Sequence, residues 1–224
     1  SIFSRWTPEQ KKILHASRLE TTRNLVAGIP ESGERTITLF STSAVGYYGF
    51  HDDEVMTESS PSGDDFLARL AADWEQEALR AAEKGARVII TRFGIVLGKD
   101  GGALGQMIPL FRYFLGGPLG SGRQWFSWVH MADLAAAFIF LLGRPEISGA
   151  VNFCSPHPVR NRDLGRALGE VLHRPSMMPA PGFLIRLILG EFGDVLLKGQ
   201  RVIPRRLLDA GFIFQYPSLD GALR

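Results

Sequence analysis

The sequence predicts an α/β protein built on a doubly wound, mostly parallel sheet. Three observations carry that reading. A helix-like segment followed by a strand-like one occurs twice in succession, at residues 8–27 then 36–40 and at 66–84 then 86–97. Residues 86–97, ARVIITRFGIVL, form a nearly continuous apolar run rich in β-branched side chains, as a strand buried on both faces does. Residues 36–49, TITLFSTSAVGYYG, pass from strand-forming residues into small hydroxylated ones and then two tyrosines between glycines. Ligands of parallel α/β sheets sit at the carboxyl ends of their strands, so Ser43, Tyr47 and Tyr48 are candidate site residues. A plain strand and turn with both tyrosines as amphipathic packing accounts for the same residues when they are taken alone.

The elements follow in order. Thr7, Pro8 and Glu9 supply a hydroxyl N-cap, a proline at the first helical position and an acid in the first turn. Ile13, Leu14, Leu25 and Val26 give that helix a loose apolar face, and Gly28 with Pro30 stops it. Arg18 lies mid-helix, where a solvated face is the default. Ser41, Thr42, Ser43 and Gly46 allow a sharp exit from the strand, and residues 51–65, with Asp52, Asp53, Glu54, Glu58 and a Pro-Ser-Gly turn, read as a polar surface loop. Phe66, Leu70, Trp74 and Leu79 mark the second helix, which Lys84 and Gly85 end.

After the apolar strand come a glycine-rich loop from Gly98 to Gly105, a helix near 104–115 and a Gly-Gly-Pro stop. The piece GRQWFSWV leads to His130, an alanine-rich helix at about 131–142, a short strand near 150–153 and an amphipathic helix at 160–172. From Met177 the texture changes: Pro179, Pro181 and Pro204 punctuate two apolar helices near 182–189 and 191–199. This end reads as a compact lobe on the main sheet, and its apolar character fits either core packing or a dimer contact.

Composition narrows the function classes. With 45% hydrophobic and 21% charged residues, the 224-residue chain suggests neither disorder nor a membrane protein. A net charge of +2 from 25 basic and 23 acidic residues, without long blocks of one sign, calls for no nucleic acid or anionic membrane, while a small anionic ligand stays compatible. A single cysteine, Cys154, excludes an intrachain disulfide, and the five scattered histidines show no zinc spacing. A reducing, cytoplasmic setting is the natural reading. The sequence shows no apolar signal core and no run long enough to span a bilayer.

The motifs are mixed. A dinucleotide site uses a strand, a glycine-rich turn and a helix because glycines let the backbone approach the pyrophosphate. The nearest match, GKDGGALG from Gly98 to Gly105, has neither usual spacing, and no acid follows to hold a ribose between Asp100 and Asp133. A substrate-side loop suits it better. Hydride-transfer chemistry of this kind pairs a tyrosine with a lysine four residues on, but the helix DFLARLAADWE sets Leu70 four residues after Phe66 and Ala71 four after Leu67. Tyr47 or Tyr48 remains as proton donor, and an unassisted phenol with a pKa of about 10 is a poor base at neutral pH. His130 reads as a core or helix-entry residue, Asp133 as a helix-start acid facing the dipole, and Arg112 and Arg123 as solvated cations that can meet a phosphate.

Taken together, STSAVGYYG, FLARLAADWE, TRFGIVLGKDGGALGQM, GGPLGSGRQWFSWVHMADLA, GAVNFCSP and the closing KGQRVIPRRLLDAGFIFQYPSLDGALR resemble the atypical short-chain dehydrogenase/reductase group of the NAD-dependent epimerase/dehydratase, or nucleoside-diphosphate-sugar epimerase, family. The resemblance covers essentially the whole chain. It implies a Rossmann-like dinucleotide-binding domain over residues 1–155 and a small C-terminal substrate lobe over 156–224. It implies NADP, or NAD, as cofactor, and a small-molecule substrate such as a nucleotide-linked sugar that is oxidised, reduced or epimerised.

Residue by residue, Ser43 matches the active-site serine, while Arg18, Ser41 and Val96 fall on the cofactor side. The tyrosine and lysine do not carry over, which is itself typical of the atypical group and leaves a non-catalytic NADP-binding sensor or scaffold as the alternative. Members also begin with a glycine-rich strand-turn-helix that this sequence lacks, so the sheet is expected to be incomplete at its amino-terminal side and dinucleotide binding by these 224 residues weak or absent.

Overall fold

The computed structural model describes residues 5–31, 37–99 and 101–224. Thr36, at the start of the predicted strand, and Asp100, inside the glycine-rich loop, lie outside them. Helix α1 (Pro8–Ala27) begins as its sequence requires: Thr7 Oγ1 accepts the Gln10 N–H at 3.2 Å and proline occupies the first turn. Strand β1 (Thr38–Ala44) runs into a tight 3-10 turn over Val45–Tyr48, and a two-residue strand β2 (Val55–Met56) follows. Asp65 caps α2 (Phe66–Leu79) by accepting the N–H groups of Leu67 and Ala68. A 3-10 turn, Arg80–Lys84, prolongs that helix until Gly85, at φ +80°, reverses the chain into β3 (Arg87–Phe93) and β4 (Ile95–Gly98).

The remaining elements are α3 (Gly102–Arg112), β5 (Trp125–Phe126), β6 (Trp128–His130), α4 (Met131–Leu142), β7 (Gly149–Phe153), β8 (Val159–Arg160) and α5 (Asn161–Leu172). They close with α6 (Gly182–Leu189), α7 (Phe192–Leu197), β9 (Arg201–Val202), α8 (Arg205–Asp209) and α9 (Leu219–Ala222).

The main sheet is parallel, in the order β1, β3, β7, with helices on both faces. Side chains alternate along each strand, so one strand serves both layers. Val88 and Ile90 pack with Val26 of α1 and Ala78 of α2, whereas Ile89 and Val151 pack with Ala137 and Leu141 of α4. This is the doubly wound arrangement that the helix-strand repeats predict.

Two sequence readings need correction. The apolar run at 86–97 is two strands, broken at Gly94, where a Cβ would stand 2.8 Å from the Ser127 carbonyl oxygen. Beyond that break β4 leaves β3 and pairs in parallel with β6. The segment 51–65 is also more than a surface loop, because Met56 is buried and β2 pairs in parallel with β9 near the carboxyl end.

The carboxyl-terminal segment after β7 packs at two places. Leu97, Leu104, Phe111, Trp128, Leu164 and Leu168 form a core between β4, β6, α3 and α5. Phe192 of α7 joins Trp6, Leu14 and Leu70, with the Trp6 and Phe192 rings 5.5 Å apart and Lys11 bonded to Glu191 at 2.5 Å. The last third of the chain thereby closes back on the start of α1 and α2.

Candidate functional site

The register of the main sheet builds the site. Ser43 is opposite Arg92, and Arg92 is opposite Asn152, so the last inward-facing positions of β1, β3 and β7 form one polar row on the α2 side. Glu75 of α2 lies over this row and takes three bonds: from Ser43 Oγ at 2.6 Å, from Arg92 Nε at 2.9 Å and from Arg92 Nη2 at 2.7 Å. The third Arg92 donor, Nη1, reaches the Tyr48 hydroxyl at 3.0 Å, and that hydroxyl donates to Asn152 Oδ1 at 2.7 Å. Asn152 Nδ2 continues to the Ile203 carbonyl, which ties the row to the segment after β9. All five side chains are buried, and the Arg92–Glu75 fork is a buried bidentate ion pair.

Burial dominates the electrostatics. It pushes the Tyr48 phenol well above the ordinary tyrosine range, against the partial opposition of Arg92 and Asn152. Burial works against the charge of Arg92, but the bonds to Glu75 and the neighbouring Tyr48 outweigh it and hold the guanidinium cationic. Burial also raises the Cys154 thiol, leaving it unreactive. Glu58, from the segment after β2, accepts the backbone N–H groups of Asn152 and Arg206 on Oε1, while its Oε2 is buried without a hydrogen-bond partner. Burial raises its carboxyl above the ordinary range despite those backbone bonds.

The predicted site residues separate into two groups. Ser43, Tyr47 and Tyr48 do come together at the carboxyl end of the sheet. Ser43 and Tyr48 point inward, with their hydroxyls engaged as described. Tyr47 is half-buried, and its ring lies face-on over Arg92, with the guanidinium carbon 3.4 Å from the ring centroid, so it is the more accessible phenol of the two.

The cofactor-side residues are dispersed. Arg18 is part-buried on α1 and donates to Ser17 Oγ at 2.9 Å, Val96 pairs with Val129 between β4 and β6, and Ser41 is buried with its carbonyl accepting from Thr91 Oγ1. Among the described residues, neither Arg18 nor Val96 is hydrogen-bonded to the polar row. His130 is the helix entry that the sequence suggests, accepting the Ala132 N–H on Nδ1. Asp133 stands in the first turn of α4 as the sequence suggests, and its buried carboxylate also accepts the N–H groups of Gln215 and Tyr216 and so anchors the carboxyl-terminal tail.

Four residues escaped the sequence reading: Glu75, Arg92, Asn152 and Glu58. One signal was present. An arginine inside the run ARVIITRFGIVL requires a buried partner, and the acid for it was to be sought on the helix that covers the strand. Among the described residues there is no group of three or more metal-ligating side chains, and no helix is long and apolar enough to cross a membrane. For a flat organic cofactor the carboxyl end of β1 is suitable, since Thr42 and Ala44 are small and exposed beside the Tyr47 turn.

Comparison with known proteins shows the family and the fold. The sequence profile of the NAD dependent epimerase/dehydratase family matches residues 3–153, and that of a domain of unknown function, DUF1731, matches 180–224. The Arabidopsis thaliana protein called epimerase family protein SDR39U1 homolog, chloroplastic, is 47% identical over 225 residues, spanning all of this chain and 65% of its own. The Bacillus subtilis epimerase family protein YfhF is 38% identical and is covered over 74% of its length. Among solved structures, human epimerase family protein SDR39U1 (isoform 2) with NADPH superposes with a TM-score of 0.93 at 35% identity, covering the whole of this chain and 76% of that one.

Proposed function

This chain belongs to the NAD dependent epimerase/dehydratase family and has its Rossmann-like α/β fold, and we propose from that premise that it is the greater part of an NADP-binding protein of the short-chain dehydrogenase type. The observation that carries the proposal is the registered row Ser43, Arg92 and Asn152 at the carboxyl ends of three parallel strands, where ligands of such sheets bind. The NADPH in the human relative supports NADP over NAD. The substrate class is a small molecule such as a nucleotide-linked sugar. When bound, the dinucleotide would supply hydride chemistry beside Thr42 and Ala44, with Arg18, Ser41 and Val96 as further cofactor contacts and residues 156–224 as the substrate lobe.

In this proposal Tyr47 is the proton-transferring group, because its phenol is reachable from the sheet end. Ser43 and Tyr48, whose hydroxyls are committed inside, keep Glu75 and Arg92 fixed beneath it. A single buried cysteine suits a reducing compartment, the cytoplasm in the simplest case, and a homodimer is compatible with the apolar lobe.

One observation favours a second reading, a sensor or scaffold that binds NADP without turnover. On α2, where a tyrosine and lysine would be four residues apart, Phe66 and Leu70 instead pack into the apolar cluster around Trp6 and Phe192. Titration with NADPH and NADH, followed by turnover of bound NADPH against a panel of sugar nucleotides and small carbonyl compounds, separates the two. The enzyme reading expects saturable NADPH binding and a turnover that Tyr47→Phe lowers by about two orders of magnitude, the scale of a lost general acid. Turnover unchanged in Tyr47→Phe removes the assigned group, tight binding without turnover selects the sensor, and absence of dinucleotide binding by the full-length protein overturns both.

A further inference from the structure

One aromatic side chain outside the polar row is crowded by cations. Trp125 of β5 is opposite Arg160 of β8, and their neighbours Phe126 and Val159 turn into the apolar core beside α3 and α5, so Trp125 and Arg160 face away from that core. The Arg160 guanidinium carbon lies 3.8 Å from the Trp125 ring centroid, and that of Arg201, from β9, lies 4.7 Å from it. Val202 is buried with Tyr48 and Met56, which leaves its neighbour Arg201 on the other side of the strand. Ser127 fixes the arrangement: its hydroxyl donates to the Gln200 carbonyl and accepts the Val202 N–H, and its carbonyl accepts the Ile95 N–H just beyond β3. The cluster is thereby held beside the carboxyl end of the main sheet.

Its two arginines are not equivalent. Arg160 donates to the Asp53 carboxylate and to the Arg123 carbonyl, and Asp53 also accepts the Trp125 Nε1–H at 3.0 Å. The Trp125 N–H first, then Arg160 and Arg201, hold the Asp53 carboxyl below the usual carboxylate range, so this acid keeps its charge. Of its neighbours, Glu54 is turned to His51 at 3.2 Å and Asp52 is exposed. Arg201 has no such commitment: its Nε is buried without a hydrogen-bond partner. A guanidinium donor withdrawn from water and left unbonded is costly until an acceptor arrives. More positive charge adjoins it. The Arg162 N–H donates to the Gly122 carbonyl, which sets the exposed Arg123 and Arg162 beside Arg160 at one end of the β5–β8 ribbon.

We propose that Arg201 is the centre of an oxyanion site for a phosphate or diphosphate group of a small molecule, with Arg123 and Arg162 adding charge at its rim. Arg160 and Asp53 act as positioning residues that hold Trp125 against it. The donors decide the class of ligand. Guanidinium forks match phosphate oxygens bidentately, and an excess of arginine over acid favours a group with two or more negative charges over a single carboxylate. The inference does not rest on the dinucleotide reading, because neither the polar row nor the proposed cofactor contacts take part.

Calorimetric titration of the full-length protein with pyrophosphate, first alone and then with NADPH present, tests it. Saturable binding is expected in both, weakening with added salt. Arg201→Gln is expected to lose about tenfold, the scale of a lost hydrogen bond to a charged group. The surface variant Arg123→Gln, Arg162→Gln leaves the Trp125 contacts intact and is expected to bind more weakly at an unchanged melting temperature. Arg144→Gln, at the amino end of the sheet, removes the same charge and is expected to bind as wild type. Binding that NADPH displaces, together with weaker NADPH affinity in Arg201→Gln, keeps the site and assigns its phosphate to the dinucleotide. No binding at millimolar pyrophosphate, undiminished binding in Arg201→Gln, an equal loss in Arg144→Gln, or acetate binding as well as pyrophosphate overturns the proposal.

Discussion

Ile90 and Arg92 stand on the same face of the same strand, about 7 Å apart, and belong to two different kinds of structure. Around Ile90 the sheet is sealed by Val26, Ala78, Val88 and Leu39, a contact set that asks only for apolar volume. Around Arg92 the same face carries Ser43, Glu75, Tyr48 and Asn152, each with a specified partner. Apolar packing tolerates exchange between similar shapes, whereas a buried charge holds only while its partner is present. One face of one sheet thus changes within a single side-chain repeat from scaffold to candidate site.

The sharpest way to break that contrast is to remove the charge. Arg92→Met keeps length and apolar volume but leaves Glu75 buried without its fork, and is expected to cost about 3–5 kcal/mol in chemical denaturation. Adding Glu75→Leu should recover most of the loss, because an apolar pair of similar volume often matches a buried ion pair. A double variant no more stable than Arg92→Met would mean that the row is held by something other than this pair. At the amino end, Ile90→Val removes one methylene from the packed layer and is expected to cost about 0.5–1.5 kcal/mol, with no effect of a second substitution at Glu75. Equal costs for the two single changes would erase the distinction between the layers.

The same contrast explains what was legible in the sequence. The scaffold layer was largely readable because β-branched runs report burial and caps report helix ends: α1 starts at its Thr7–Pro8 cap and α4 fills the alanine-rich run, while the run at 86–97 holds two strands, β3 and β4, where one was expected. Ser43, Tyr47 and Tyr48 were legible as a group at a strand end. Their division of labour was not, since whether a hydroxyl turns inward depends on Glu75, 32 residues away from Ser43. The break at Gly94 escaped because its cause, the carbonyl of Ser127, comes from a segment with which the local pattern has no connection. Glu58 escaped for a related reason: a run of acids and a Pro-Ser-Gly turn read as surface, and only the pairing of β2 with β9 carries the segment inward.

Glu58 gives the smallest and most sharply signed test of the comparison. Glu75 has a guanidinium fork for its charge, whereas Glu58 has two backbone N–H groups on one oxygen and a buried second oxygen without a partner. The Arg206 side chain is engaged by the Ser148 and Ala150 carbonyls. With its carboxyl raised by burial, the folded protein holds the Glu58 proton more tightly than the unfolded chain does. Its contribution is therefore fully favourable below the ordinary glutamate value of 4.5, and is lost as pH rises from there through the raised value of the folded state. Glu58→Gln retains an oxygen for the Asn152 and Arg206 N–H groups and cannot ionise. The variant should accordingly melt with wild type at acidic pH and above it at neutral pH, the gap opening across that window. A gap of the opposite sign would mean that ionised Glu58 is stabilised in the fold, and that it belongs with Glu75 among the partnered charges of the site.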